Sequence, residues 1–143
     1  LVDDGNTYVI CCDNFYTGNK DNIKPLFDSG RFELFRHDII EPLDITGLDE
    51  IYNLACPASP KHYQKSPVYT LKTNVLGIIN LLELAVQNNA KLMQFSTSEV
   101  YGNPLVHHQS EEYFGNVNPV GIRSCTCEGH KNIQYLRPEY VNR

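Results

Sequence analysis

Residues 67–89, PVYTLKTNVLGIINLLELAVQNN, form the longest periodic segment of the chain. A proline suits the first turn of a helix, and apolar residues then recur at spacings of three and four. These residues are Val68, Leu71, Val75, Ile78, Ile79, Leu82 and Ala85. The spacing predicts a helix of about six turns with one broad apolar face, ending at Asn88 and Asn89.

Short apolar runs bounded by turn residues lie on both sides of this helix. They predict four strands, at 8–12, 32–35, 51–55 and 92–95. One or two helical turns are predicted at 22–29, and another helix is predicted to start at Pro119. Strands that alternate with helices are typical of a parallel sheet in an α/β protein. We therefore predict a Rossmann-like, doubly wound α/β domain over residues 1–143.

The composition indicates a globular protein and narrows its partners. The chain has 143 residues, 41% of them hydrophobic and 20% charged, which suffices for one hydrophobic core. Its net charge of -5 argues against nucleic acid as the main partner, because phosphate binding needs a basic surface. No apolar run approaches the ~18 residues of a membrane span. The odd number of cysteines, five, favours reduced thiols over a disulfide framework and hence a cytoplasmic setting.

Acidic residues follow two predicted strands, at the sheet edge where parallel sheets bind ligands. Asp13 ends the first strand, where a carboxylate can accept hydrogen bonds from the adenosine ribose hydroxyls and repel a 2′-phosphate. That interpretation favours NAD over NADP. The alternative is a turn cap, since Asp-Asn is common turn chemistry. Asp38 allows the same two interpretations, an adenine contact or a turn residue.

Hydroxyl and acidic side chains follow the fourth strand directly, in the stretch 96–99, Ser-Thr-Ser-Glu. Such groups can bind a sugar and transfer protons. Serine and threonine are also common helix N-caps, and the sequence favours neither interpretation over the other. Within the long helix, Lys72 is either a ligand contact or a solvated residue. Asn80 lies between apolar positions and either faces a ligand or caps a backbone group.

Two cysteines and a histidine, Cys125, Cys127 and His130, lie within six positions of each other. A structural zinc site needs four ligands, and this spacing offers three. We predict no metal site here.

Six motifs occur in order along the chain. They are DNFYTGNKDNI (13–23), FRHDIIEPL (35–43), IYNLACPASP (51–60), LKTNVLGIINLLELA (71–85), STSEVYG (96–102) and GNVNPVGIRSC (115–125). Through them, residues 1–128 resemble the UDP-glucuronate decarboxylases, or UDP-xylose synthases, of the extended short-chain dehydrogenase/reductases. STSEVYG is shared with nucleotide-sugar epimerases and dehydratases, whereas ACPASP and GNVNPVGIRSC are more specific to the decarboxylases.

The resemblance implies a carboxy-lyase that acts on UDP-glucuronate. NAD would take a hydride from C4 of the sugar, the resulting β-keto acid would lose carbon dioxide, and the returned hydride would give UDP-xylose. The implied cofactor-binding residues are Asp13, Asn14, Tyr16, Thr17, Gly18, Asp38, Ile39, Leu54, Ala55 and Thr73. The implied substrate contacts are Lys72 and Asn80. Thr97 would orient the sugar, and Ser98 and Glu99 would act near the C4 hydroxyl and C5 carboxylate.

The segment IRSCTCEGHKN at 122–132 departs from this family. After Arg-Ser-Cys the family has Tyr-x-x-x-Lys, in which the tyrosine takes the proton of the C4 hydroxyl and the lysine lowers the tyrosine pKa. Thr126 and His130 stand at those two positions. A threonine hydroxyl is too weak an acid and too short, and a histidine is mostly uncharged near pH 7. The resemblance therefore implies a chain without decarboxylase activity.

Other departures suggest an incomplete family member. The first strand, the glycine-rich phosphate loop and the C-terminal substrate domain of the family are not found in the sequence, so we expect a fragment, a pseudogene product or a pseudoenzyme. Two alternative functions stay open. One is a nucleotide-binding or dimerisation module, with a homodimer formed through the helix at 67–88. The other is a related epimerase or 4,6-dehydratase, against which ACPASP argues. A cytoplasmic location is expected, although members anchored in Golgi membranes also occur.

Overall fold

The computed structural model describes residues 1–2, 5–121, 124–125 and 129–131. The chain divides into two compact units, residues 1–38 and residues 39–143. Each unit contains one pair of parallel strands, so the α/β class predicted from the sequence is confirmed.

The first unit is built on two parallel strands, β1 (Val9–Asp13) and β2 (Phe32–Arg36). They pair in a register that runs from Val9↔Phe32 to Asp13↔Arg36. Two short 3₁₀ helices, Lys20–Asn22 and Lys24–Ser29, connect them, where the sequence predicted one or two helical turns. Because the strands are parallel, both carboxyl ends lie at the same edge, next to Asp13.

The second unit pairs β3 (Glu50–Asn53) with β4 (Lys91–Gln94), also in parallel. A short helix, α1 (Pro60–Tyr63), and the long predicted helix lie between the two strands in the chain. Both strands lie within two residues of their predicted positions. The connection through a helix is the expected one, because a parallel pair needs a long crossover.

The long helix runs without interruption from Pro67 to Asn88 but changes its hydrogen bonding in the middle. It comprises α2 (Pro67–Lys72), a π-helical segment (Thr73–Gly77) and α3 (Ile78–Asn88). It ends where Asn89 adopts a left-handed conformation, with φ 51°, and donates its backbone N–H to Val86 O at 3.2 Å. The predicted bounds are confirmed, and the π segment is an addition that the apolar spacing did not predict.

The predicted apolar face of this helix is correct only in its C-terminal half. Ile78, Leu82 and Ala85 are buried as expected, but Val68 is 68% exposed and Leu71 is 40% exposed. The N-terminal half buries small and polar residues instead, namely Thr70, Thr73, Asn74 and Gly77. At Gly77 the reason is the close approach of Ile39, which leaves no room for a side chain.

Ile39 lies directly against Gly77 in this half of the helix. A Cβ atom on Gly77 would lie 2.5 Å from Ile39 Cδ1 and 2.8 Å from Ile39 Cγ1. The Asn80 side chain donates to Ile39 O at 2.8 Å. Ile39 also forms the core with Leu81 and Leu84. Further apolar side chains pack against that core, namely Leu43, Leu48, Ile51 and Leu92.

The segment after β4 differs from the prediction of a helix starting at Pro119. Pro119 lies in a turn, closed by Gly121 N donating to Asn118 O at 3.2 Å. Helical residues follow at 124–125 and 129–131. The proline therefore precedes the helix by several residues. No helix in the described part of the chain is long and apolar enough to cross a membrane.

The Gly77–Ile39 contact predicts that Gly77→Ala destabilises the natural chain but stabilises a chain in which Ile39 is replaced by alanine. Gly77 has helical angles, φ -58° and ψ -45°, so alanine is compatible with the backbone. In the natural chain, Gly77→Ala should lower the free energy of unfolding by about 1–3 kcal/mol, because the new methyl group meets Ile39. In an Ile39→Ala chain the same substitution should raise it by about 0.5–1 kcal/mol, the ordinary helix preference for alanine. Urea denaturation of the four proteins measures both effects.

Ile39→Val provides an intermediate background if Ile39→Ala unfolds the chain. It removes only the δ carbon, so Gly77→Ala should cost less there than in the natural chain. An equal cost of Gly77→Ala in every background would show that the contact does not control this helix.

Candidate functional site

The carboxyl end of β1 carries two consecutive side-chain-capped turns. Asp13 Oδ1 accepts the backbone N–H of Phe15 at 2.7 Å, and Asn14 Oδ1 accepts that of Tyr16 at 2.8 Å. Phe15 adopts a positive φ of 60° between them. Asp13 therefore serves as the turn cap that the sequence offered as one of two interpretations. Only one of its two carboxylate oxygens is used in this way.

The second oxygen of Asp13 faces Gly18. A Cβ atom on Gly18 would lie 3.0 Å from Asp13 Oδ2, so a glycine allows the loop to come close to the carboxylate. Asn14 Nδ2 donates to Asp38 Oδ2 at 2.9 Å, which joins the ends of β1 and β2. Tyr16 and Thr17 lie on the exposed side of this loop. Six predicted cofactor-binding residues thus lie together at one strand end of the first unit.

The surroundings of this strand end change the pKa of the neighbouring Cys12 thiol. The pKa of Cys12 is raised to about 11 by burial, then by Cys11, Asp13 and Asp38. Burial and the Asp13 carboxylate also raise the pKa of Cys11. The carboxylates of Asp13 and Asp38 thus disfavour further negative charge next to this thiol.

The carboxyl end of β3 in the second unit is organised by Asn53. Its buried side chain donates to Gln94 Oε1 at 2.7 Å and accepts the backbone N–H of Ala55 at 3.1 Å. Leu54 and Ala55, both predicted cofactor contacts, are exposed in the following loop, with Leu54 at 67%. Their exposure leaves this strand end open to a ligand.

The predicted ligand residues of the long helix make intramolecular contacts. Thr73 is buried, and its hydroxyl donates to Tyr69 O at 3.0 Å. Asn80 caps the backbone of Ile39, which is the second of the two interpretations that the sequence allowed, and the Ile39 side chain lies in the core. Lys72 is exposed.

The predicted sugar-facing group lies around a 3₁₀ helix, Ser98–Tyr101. Thr97 is its N-cap, with Oγ1 accepting the backbone N–H of Glu99 at 3.3 Å. Ser98 is exposed and Glu99 is half-buried. The N-cap interpretation of this stretch is therefore correct for Thr97, and the capping leaves the Ser98 hydroxyl on the surface.

The segment that departs from the family pattern is only partly described. Thr126 and Cys127 lie outside the described residues. His130 is in the helix and is 5% exposed. Within the residues that the structure describes, no three His, Cys, Asp or Glu side chains are grouped as a metal site would require.

Sequence reasoning missed one group of residues in the second unit. Asn74 is 3% exposed, and a Cβ atom on Gly129 would lie 2.9 Å from its Nδ2. Burial raises the pKa of the Cys56 thiol, in the loop after β3, and the Asn74 amide opposes this rise. The sequence does contain a signal, because Asn74 is a polar residue three positions before Gly77 in the long helix. An analysis of apolar spacing does not consider polar residues and therefore misses it.

Comparison with known families gives a match over most of the chain. A family model described as GDP-mannose 4,6 dehydratase matches residues 1–122.

Curated relatives are identical to this chain at about half of the aligned positions. UDP-glucuronic acid decarboxylase 1 of Arabidopsis thaliana is 54% identical over 132 residues, which is 92% of this chain and 30% of the relative. UDP-glucuronic acid decarboxylase 6 of the same plant is 51% identical over 140 residues, 98% of this chain and 40% of the relative. The Xenopus tropicalis decarboxylase 1 is 50% identical over 141 residues, 99% of this chain and 33% of the relative. The chain thus spans well under half the length of these relatives.

Solved structures share the fold at lower identity. A variant of UDP-glucuronic acid 4-epimerase from Bacillus cereus, in complex with a fluorinated UDP-sugar and NAD, matches with a TM-score of 0.82 at 22% identity. It covers 100% of this chain and 47% of that structure. UDP-glucose 4-epimerase from Thermotoga maritima matches with a TM-score of 0.78 at 18% identity, over 99% of this chain and 46% of the other. These matches establish a Rossmann-like fold.

Proposed function

Because the chain belongs to the GDP-mannose 4,6-dehydratase family, we propose that it is the NAD-binding part of a UDP-glucuronate decarboxylase in which the proton-transfer residues are replaced. The observation that carries this proposal is 54% identity over 132 residues to a UDP-glucuronic acid decarboxylase. In this view the binding residues at the strand ends are retained, and the catalytic step is lost through Thr126 and His130.

A decarboxylase is favoured over the epimerase and 4,6-dehydratase alternatives. The two epimerase structures compared above are 22% and 18% identical to this chain, whereas the decarboxylases are about 50% identical. ACPASP at 55–60 and GNVNPVGIRSC at 115–125, which carry the resemblance to the decarboxylases, support the same assignment. STSEVYG does not discriminate between these enzymes.

The first unit supports NAD as the cofactor through its adenosine end. Asp13 uses one oxygen to cap a turn, and its other oxygen faces the loop at Gly18, which a larger residue would crowd. Ribose hydroxyls are suitable donors for that carboxylate. The negative surroundings, which include Asp38, disfavour the extra phosphate of NADP. The residues that are present therefore fit the adenosine part of NAD.

The second unit supplies groups suited to a charged sugar. When bound, NAD provides the hydride acceptor and donor for C4. The exposed ammonium of Lys72 would attract the diphosphate or the carboxylate of UDP-glucuronate. The exposed Ser98 hydroxyl would bind a sugar hydroxyl, and Thr97 fixes the start of the short helix that carries it. Glu99 would act near the C5 carboxylate.

The missing step is removal of the C4 hydroxyl proton. In the family pattern a tyrosine accepts that proton and a lysine four residues later assists it. Thr126 has no acidity suited to this task, and His130 is buried within the helix instead of presenting a flexible ammonium group. Without proton transfer, hydride transfer from C4 does not proceed.

We also propose that two copies pair through the exposed face of the long helix. Val68, Leu71, Leu76 and Val86 are all between 40% and 68% exposed on this one helix. Several exposed apolar side chains on one helix indicate a protein contact. A second copy is the occupant that we propose, because the same face on both molecules satisfies two-fold symmetry.

Sedimentation velocity tests this pairing. The natural chain should sediment as a dimer at micromolar concentrations, and the double variant Val68→Lys, Leu71→Lys should sediment as a monomer, since two ammonium groups cannot be buried in the contact. Phe114→Lys is the matched control, because Phe114 is 96% exposed but lies in a loop, and it should stay dimeric. A monomeric natural chain, or loss of the dimer in the control alone, would contradict the pairing.

Chimeras of the Arabidopsis decarboxylase 1 test the proposed function without requiring this chain to act alone. In the first, residues 5–121 of this chain replace the matching segment, and the relative keeps its own tyrosine and lysine. We expect this protein to release carbon dioxide from UDP-glucuronate and form a UDP-pentose. In the second, residues 5–131 are transferred, with Thr126 and His130. We expect its rate to fall by about 10²–10⁴-fold, the usual contribution of a general acid–base pair.

Product analysis by NMR separates the outcomes. A 4-epimer or a 4-keto-6-deoxy sugar from the first chimera would contradict assignment to the decarboxylases. Equal rates for the two chimeras would show that Thr126 and His130 do not silence the site. Carbon dioxide released by the unmodified 143-residue chain would contradict the proposed loss of activity.

A further inference from the structure

Phe15 combines two unusual features in the loop after β1. Its φ is 60°, in the left-handed region that favours glycine, where an aromatic residue is a conformational outlier. Its side chain is half-buried, whereas Tyr16, Thr17 and Gly18 are exposed. The family resemblance implies cofactor contacts for the five other residues from 13 to 18, but none for Phe15. Such an outlier persists only where surrounding contacts hold it, and it is often found at functional sites.

Hydrogen bonds on both sides of Phe15 hold this conformation. Phe15 donates its backbone N–H to Asp13 Oδ1 at 2.7 Å, and Tyr16 donates its own to Asn14 Oδ1 at 2.8 Å. The Asn14 amide donates in turn to Asp38 Oδ2 at 2.9 Å. The turn at Phe15 is therefore tied to the carboxyl ends of both strands of the first unit.

The Lys20 side chain contacts the Phe15 ring. Its Nζ lies 5.2 Å from the ring centroid, within the range of a cation–π interaction. Lys20 begins the 3₁₀ helix Lys20–Asn22, and Asn19 caps that helix by accepting the backbone N–H of Asp21 at 3.0 Å. The backbone of Lys20 is thus held by the start of this helix, and its cation closes the loop between residues 15 and 20.

Phe15 acts on the Asp13 carboxylate in two ways. A carboxylate has only broad rotational preferences about its last side-chain bond, and the bond from the Phe15 N–H to Oδ1 removes that freedom. The left-handed φ of Phe15 also turns the chain back, so that Gly18 lies beside Asp13 Oδ2, where a Cβ atom would be 3.0 Å away. One oxygen is thereby bound to the backbone, and the other is directed to a defined place in the loop.

We propose that Phe15 is a positioning residue for the adenosine ribose of NAD and that Lys20 holds it in place. This role rests on the function proposed above and deepens it, because it explains how the ribose acceptor is oriented. Phe15 acts through Asp13, whose second oxygen becomes a fixed acceptor for the 2′-hydroxyl of the ribose. A fixed acceptor loses less freedom on binding than a rotating one, so the affinity is higher.

Two substitutions at Phe15 separate the backbone conformation from the ring. Phe15→Ala and Phe15→Gly both remove the ring, but only glycine adopts a positive φ without steric cost. In urea denaturation of the 143-residue chain, the glycine variant should have an unfolding equilibrium constant about fivefold lower than the alanine variant. Equal stability of the two variants would show that the positive φ is not required and would overturn the proposal.

The preference for NAD over its 2′-deoxyadenosine analogue measures the positioning itself. Calorimetry on the first chimera described above gives both affinities. With Phe15 present, NAD should bind about tenfold more tightly than the analogue, the effect of one hydrogen bond to a charged group. Phe15→Ala should abolish most of this preference, and Phe15→Gly should keep most of it. A merely structural role would lower both affinities alike, and that result would overturn the proposal.

The matched control removes an aromatic ring elsewhere in the first unit. Phe27 packs edge-on against Phe32, with ring centroids 5.6 Å apart, and Phe27→Ala should keep the preference for NAD. At the cation, Lys20→Met should reduce the preference and Lys20→Arg should restore it, because arginine also binds aromatic faces.

The outcomes distinguish this role from the proposed function. An equal preference for NAD in all of these variants would overturn the role of Phe15 and leave the proposed function intact. A chimera with Phe15 present that binds neither nucleotide would contradict the proposed function, and the role of Phe15 with it.

Discussion

The arrangement of the second unit depends on the absence of a side chain at Gly77. Any larger residue there would occupy the position of the Ile39 side chain, which belongs to the core. Asn80, one turn further along the helix, holds the same residue through its backbone carbonyl. Ile39 is thus fixed by shape and by a hydrogen bond, and the long helix is fixed with it. The positions of Thr73 and Asn74 follow, because both lie on the same buried side of that helix.

The strands and the existence of the long helix could be predicted because they depend on local signals. Short apolar runs between turn residues predicted all four strands to within two residues, and Pro67 and Asn88 marked the helix ends. The side of the helix that faces the core could not be predicted as well. Periodicity identifies apolar residues, but burial at Gly77 is decided by Ile39, which lies far away in sequence. Val68 and Leu71 match the apolar period of the helix, yet both are exposed.

The candidate site shows the same division between local and non-local information. Asp13 and Asp38 were predicted from their positions after strands, and Asn14 was implied by the family resemblance. All three lie together at the end of β1 and β2. Their turn-capping bonds are local, so the sequence suggested them too. The close approach of Gly129 to Asn74 was not predicted, because two segments far apart in sequence must meet to create it. The start of the last helix was misjudged because proline is equally compatible with the turn that precedes it.

Calorimetric titration of NAD into the 143-residue chain tests most directly whether the site keeps only part of its binding capacity. Asp13 and its loop suit the adenosine ribose, but the sequence contains no glycine-rich loop to hold the pyrophosphate at a helix N-terminus. We therefore expect weak heat signals that do not saturate at micromolar NAD. Saturation at micromolar NAD would contradict this view, because it would require a pyrophosphate site that we have not identified.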